Sequence, residues 1–243
     1  VKFIGFKNFA VIFKDKTFLN SFLFTLKFTV ISLIVLNVMG FGLALLVTRE
    51  SKLNNIFRTI FFMPNLIGGL ILGFIWQFIF VEVFNNLGTI TKQKWLLGWL
   101  SDSKTGLWGL VILMAWQMSG YLMVIYIAAI QDIPPELIEA SKIDGASGWR
   151  IIKDIIIPLV RPAFTVSIFL TLSNSFKLYD QNLSLTAGGP ARSTEMLAMN
   201  IYNTAFGFNK LGQAQAKAVI FLLIVGCISL LQVHFTQKGE VEM

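Results

Sequence analysis

Five apolar runs of about twenty residues recur along the chain, at about 20–48, 60–81, 107–130, 157–176 and 213–235. A helix of that length crosses roughly 30 Å of hydrocarbon and satisfies its backbone groups internally. The two-residue alternation of a membrane barrel is absent. Composition agrees with this pattern. Of 243 residues, 55% are hydrophobic and 14% charged, with a mean hydropathy of +0.71, whereas soluble domains carry about a quarter charged residues. An all-α polytopic membrane bundle follows, with five transmembrane helices in one domain, 1–243, and its termini on opposite faces. No short N-terminal run ends in a small-residue cleavage site, so no signal peptide is expected.

The net charge of +7 is spread through the loops between runs. It forms no aromatic and basic surface of the kind that binds nucleic acid, and membrane lipid headgroups are its expected neighbours. Counting bases on alternate loops gives eight on one face, from Arg49 to Lys238, and eleven on the other, from Lys2 to Lys217. The count does not orient the chain. Cys227 and His234 are each the only residue of their type. They exclude an intrachain disulfide and give a metal no converging ligands. No catalytic residues and no metal site are assigned.

One polar stretch, PPELIEASKIDGASGWRIIKD from Pro134 to Asp154, stands out between the third and fourth runs. Prolines suit the first turn of a helix, where their missing N–H costs nothing, and Asp132 is placed to cap it. A short helix is expected from Pro135, broken by Gly145 and Gly148. It could lie on lipid as an amphipathic connector. Its acids beside bases suit a protein partner better, and a terminal glycine permits close backbone approach.

Here a family resemblance becomes specific. Glu139-Ala140-Ser141, then Gly145 after three intervening residues, Ile155 after nine more and then Ile157-Pro158 resemble the EAA loop of permease subunits in binding-protein-dependent ABC importers. Ser141 stands where the usual pattern has a second Ala, and Ile157 where it has Leu. FIGFKNF near the start and SFKLYDQNLSLTAGGPARSTE before the last run are similar to segments of sugar permeases of the maltose and glycerol-phosphate type. The latter segment is closer to the larger maltose-type membrane subunit. Such permeases usually have at least six spans, so the resemblance implies that the family's first helix is missing here.

The resemblance further implies that the loop at 131–158 is cytoplasmic and docks a coupling helix in an ATPase subunit. Glu136, Glu139, Ala140, Ser141, Asp144, Gly145 and Trp149 would make that contact. Expected partners are a second homologous permease, two copies of the ATPase, an extracytoplasmic solute-binding protein and a sugar substrate, in a prokaryotic cell membrane. The chain has no G-x-x-x-x-G-K-[ST] loop. No cofactor is expected in it, and ATP and Mg belong to the partner ATPases.

Polar and aromatic side chains inside the runs are candidates for a substrate path. One set is Trp116, Gln117, Ser119 and Tyr121; the other is Ser173, Asn174, Lys177, Tyr179 and Asp180. Asn37 and Gln77 read instead as bonds between helices. Lys27 should snorkel or pair with an acid, and Lys177 could neutralise Asp180. Pro64, Gly68 and Gly69 permit a bend or a close helix contact, and Trp95, Trp99 and Trp108 should sit at the membrane interface. Import of glycerol phosphate or a polyol by the same fold is an alternative. An ion-driven secondary transporter fits less well, because paired intramembrane carboxylates and inverted repeats are not seen.

Overall fold

The computed structural model describes residues 5–49 and 51–237, so Lys2 and Lys238 lie outside the described residues. All its regular elements are helical. In chain order they are α1 (Lys7–Ile12), α2 (Lys16–Val47), α3 (Lys52–Phe62), α4 (Gly69–Phe78), α5 (Phe84–Thr91), α6 (Ser103–Gln131), α7 (Pro135–Ile143), α8 (Gly148–Ile151), α9 (Ile157–Leu159), α10 (Arg161–Phe176), α11 (Asp180–Leu185), α12 (Leu197–Tyr202) and α13 (Leu211–Gln237). Single π turns join α4 to α5 and α8 to α9, and another follows α12.

Among the described residues, four helical stretches are long and apolar enough to cross a membrane: Lys16–Val47, Gly69–Thr91, Ser103–Gln131 and Leu211–Thr236. The fourth expected crossing, 157–176, is part of a bent pair, Gly148–Leu159 and Arg161–Phe176, with 71° between its arms. At 1.5 Å per residue, α10 alone reaches only about 24 Å, which is short of the hydrocarbon thickness. Pro158 and Pro162 lie on either side of the corner and each removes a backbone donor there. The second crossing lies about ten residues later than expected. Ser51 accepts a hydrogen bond from the Asn54 amide at 3.1 Å and so starts a separate amphipathic helix, α3, which uses the apolar residues before Pro64.

The chain divides into two compact units. The first holds residues 1–32, 67–114 and 173–227. Its apolar centre brings together Ile12, Phe18, Leu197, Ala216 and Ile220, with Phe9, Phe22 and Phe221 against them. Helix α4 meets α11 through two glycines one turn apart. A methyl at Gly73 would overlap Ser184 Oγ and come within 2.8 Å of Ser184 Cβ, and one at Gly69 would lie 2.9 Å from Gln181 Cδ. The expected close contact is therefore made at Gly69, whereas Gly68 has open space around it. Gly73→Ala should cost about 1–3 kcal/mol by overpacking, read as a lower thermal midpoint in detergent. Trp99 is half-buried with its ring stacked on Phe80 at 4.8 Å, whereas Trp95 and Trp108 are exposed.

The second unit holds residues 33–66, 115–172 and 228–243. Its buried polar centre is Asn37, which accepts from the Tyr126 hydroxyl at 2.6 Å and donates to Thr171 Oγ1 at 3.5 Å and to the Leu33 carbonyl at 2.7 Å. The rings of Phe41, Tyr126 and Phe164 pack against one another in edge-on and tilted contacts, with centres 4.8–5.5 Å apart. Asn37 thus acts as the expected bond between helices, and Gln77 does the same in the first unit by donating to the Leu185 carbonyl at 3.3 Å. The Arg58 guanidinium donates to the Val47 and Thr48 carbonyls and so closes the C-terminus of α2. Gly120 on α6 packs on the backbone of α3 at Phe61, and Gly40 packs on Leu122.

Candidate coupling surface and translocation residues

Helix α7 forms because its sequence supplies start and stop through the main chain. Pro135 occupies the first turn, and Pro134, not Asp132, is the cap residue, with no side chain closing that end. The Asp132 amide instead bonds back to Ala128, which continues the α6 hydrogen bonds one residue beyond Gln131. At the other end Gly145 has φ of +77°, the left-handed region that glycine enters freely. Its amide donates to Lys142 and the Ala146 amide donates to Ser141, the paired bonds of a Schellman stop. A side chain at Gly145 would meet nothing within 4 Å, so the glycine is required by backbone geometry and not by crowding within the chain.

No residue of α7 is buried. Leu137 is 45% exposed, Ile143 85% and the following Trp149 70%. Among the described residues, Glu136, Glu139, Lys142 and Asp144 make no ion pair, and the Ser141 hydroxyl bonds only the Ile138 carbonyl. Ser147 then restarts the chain as the cap of α8. This is an apolar and charged surface with little to pack on within its own chain.

The two sets of candidate path residues fall in different units. In the second unit, Gln117 and Ser119 are buried in α6, with Ser119 bonded to the Ala115 carbonyl, while Trp116 is exposed and Tyr121 faces Phe62 with ring centres 6.5 Å apart. In the first unit Asn174, Lys177 and Asp180 are exposed and Ser173 and Tyr179 half-buried. Lys177 and Asp180 form no ion pair with each other. Tyr179 stacks on Tyr202, which continues to Phe206. Burial, with Tyr202 and Asp180 alongside, pushes the Tyr179 phenol up.

Lys217 was counted among loop bases, yet it is 3% exposed and belongs to α13. Its Nζ donates to Asn200 Oδ1 at 2.8 Å and Thr204 Oγ1 at 3.0 Å, pairs with Asp15 Oδ2 at 2.8 Å and lies over the Phe18 ring. The other Asp15 oxygen caps α2 by accepting from the Thr17 and Phe18 amides. Burial pushes the Asp15 carboxyl up, but the Lys217 and Thr17 hydrogen bonds, the Lys217 charge and the Phe18 amide outweigh it and hold the group at about 2. The readable signal was a lysine inside an apolar run, which needs a buried partner.

Asp15 and Lys217 line a cleft of about 450 Å³ together with Lys14, Arg192, Phe208 and Lys210. Arg192 is itself paired with the buried Glu195. The TAGGPARST segment beside it is built around Asn182, another residue the sequence did not single out. Asn182 donates to the Thr194 carbonyl at 2.8 Å and accepts from the Met196 amide at 3.0 Å.

A family model, the binding-protein-dependent transport system inner membrane component, matches residues 36–239. The chain belongs to that family. It is 58% identical over 241 residues to the probable starch degradation products transport system permease protein AmyD of Thermoanaerobacterium thermosulfurigenes, covering 99% of this chain and 82% of the relative. It is 32% identical over 243 residues to the sn-glycerol-3-phosphate transport system permease protein UgpA of Agrobacterium fabrum, covering 97% and 81%. In fold it is similar to a chain of a bacterial ABC transporter involved in import of the acidic polysaccharide alginate, with a TM-score of 0.86 at 22% identity over 97% of this chain and 84% of the other. The expected all-α permease fold is therefore present, and the chain is a permease subunit of the inner membrane.

Proposed function

We propose that this chain is one of two homologous permease subunits of an ATP-driven importer in a prokaryotic cell membrane, passing a sugar or oligosaccharide delivered by an extracytoplasmic binding protein. The observation that carries the reading is α7, a helix begun at Pro135 and stopped through the main chain at Gly145, with its side chains left open. Residues 131–158 form the cytoplasmic coupling loop of a single permease domain, 1–243. In it Glu136, Glu139, Ala140, Ser141, Asp144, Gly145 and Trp149 contact one of two ATPase subunits. ATP and Mg are held by those subunits, and this chain moves without catalysing. Trp116, Gln117, Ser119, Tyr121, Ser173, Asn174, Lys177, Tyr179 and Asp180 are assigned to the translocation path, where rings and hydroxyl-matching groups suit a sugar. The named cargo of AmyD supports a carbohydrate.

Glycerol phosphate is the second reading, on the strength of the UgpA relative and the bases in the cleft at Lys217. Two of those four bases are already neutralised by Asp15 and Glu195. That leaves the sugar reading ahead.

Trp149→Ala in the assembled transporter should weaken ATPase association about thirtyfold, as loss of an aromatic anchor does, while Gly145→Trp should leave hydrolysis running without uptake. Copurification and paired hydrolysis and uptake assays measure both. Unchanged association and uptake in the two variants would overturn the coupling assignment.

A further inference from the structure

One stripe of α2 faces outward from the first unit: Leu19, Leu23, Lys27 and Val30 are all exposed, at steps of three and four residues that keep them on one helix face. The stripe belongs to a membrane-crossing helix. A lysine in the middle of it is costly unless its ammonium reaches a polar layer or an anion. In the first unit Lys27 lines a cleft of about 400 Å³ together with Asn20, Ser103, Lys104 and Ser193, over an apolar floor of Leu23, Phe24 and Leu107.

No carboxylate lines this cleft. Among the described residues neither Lys27 nor Lys104 forms an ion pair. Asp102, two residues before Lys104, is close enough to feel its charge but does not line the cleft, and its carboxylate accepts from the Thr105 amide at 2.7 Å and the Thr105 hydroxyl at 3.1 Å. Two cations therefore share one small cleft with neutral hydrogen-bonding groups around them. A single oxyanion placed there relieves their repulsion and takes hydrogen bonds from both.

We propose that this cleft binds the phosphodiester headgroup of an anionic phospholipid, with an acyl chain laid along Leu23 and Val30. The apolar continuation of the cleft favours a lipid over free phosphate. Lys27 and Lys104 hold the phosphate, and Ser103 and Asn20 orient its remaining oxygens.

The test uses the assembled transporter in nanodiscs of phosphatidylcholine containing a minor share of phosphatidylglycerol, with retained lipid measured by native mass spectrometry. Lys27→Met with Lys104→Gln should lower phosphatidylglycerol retention about thirtyfold, because each of the two lysines near the headgroup layer contributes about one kcal/mol of lipid attraction. Lys27→Arg with Lys104→Arg should restore it, which separates charge from folding. Inorganic phosphate should not displace the lipid. Equal retention in the Met/Gln variant overturns the proposal. So does displacement by inorganic phosphate, or a photo-crosslink from position 27 that captures a partner polypeptide instead of lipid.

Discussion

Gly120→Ala should leave little folded protein, whereas Gly42→Ala should melt at or above the parent temperature. Both glycines lie inside long helices, and a methyl in either place gains up to about 1 kcal/mol of helix propensity. Their surroundings decide the sign. The new Cβ at position 120 would overlap the Phe61 carbonyl oxygen and approach the Phe62 amide at 2.9 Å, and a backbone cannot rotate out of the way as a side chain can. At position 42 nothing lies within 4 Å. Separating α6 from α3 to make room should cost about 3 kcal/mol or more. Size-exclusion profiles and thermal midpoints in detergent measure the contrast, and a folded Gly120→Ala protein with a parental midpoint would contradict this packing.

Asp15→Asn should be nearly as damaging, for electrostatic reasons. The amide keeps the cap on α2 but leaves the Lys217 ammonium buried without its counter-charge. Removing one member of a buried pair costs about 3–5 kcal/mol, and the partial exposure of Asp15 puts this case at the low end. Adding Lys217→Met to Asp15→Asn should recover much of the loss, so the two changes are far from additive. The pH dependence follows from the lowered carboxyl. A group held at about 2 when folded, against an ordinary 3.8, contributes its stability fully above pH 4 and loses it as the pH falls from there towards 2. Denaturant midpoints taken across that window should slope downward in the parent and flatten in Asp15→Asn.

Backbone chemistry made some elements legible. Proline at a first turn and glycine at a stop act through φ and a missing donor, whatever surrounds them, so α7 was readable from Pro135 to its break at Gly145. Asn37 and Gln77 were readable as bonds between helices because a buried amide has few other uses. The second crossing was misplaced because hydropathy runs on from Ile56 to Val83, and only the Ser51 cap and the break after Leu66 show that two helices share the run. Lys217 was missed because a charge near the end of an apolar run looks like loop charge. Its partners, Asp15, Asn200 and Thr204, lie far enough away in sequence that nothing local announces them. The candidate path residues divide similarly. Ser119 is readily satisfied by its own helix, and a sequence cannot distinguish that from a hydroxyl kept for a ligand.

The way α7 ends has an evolutionary corollary. Since its start and its stop are written in main-chain atoms, acidic and basic residues along it can be exchanged without unravelling the rod. On the proposed coupling role, a lineage that adopts a different ATPase partner can recut this face one residue at a time while Pro135 and Gly145 stay fixed. Variation among relatives should then concentrate on the outward side chains and spare the two backbone punctuation marks.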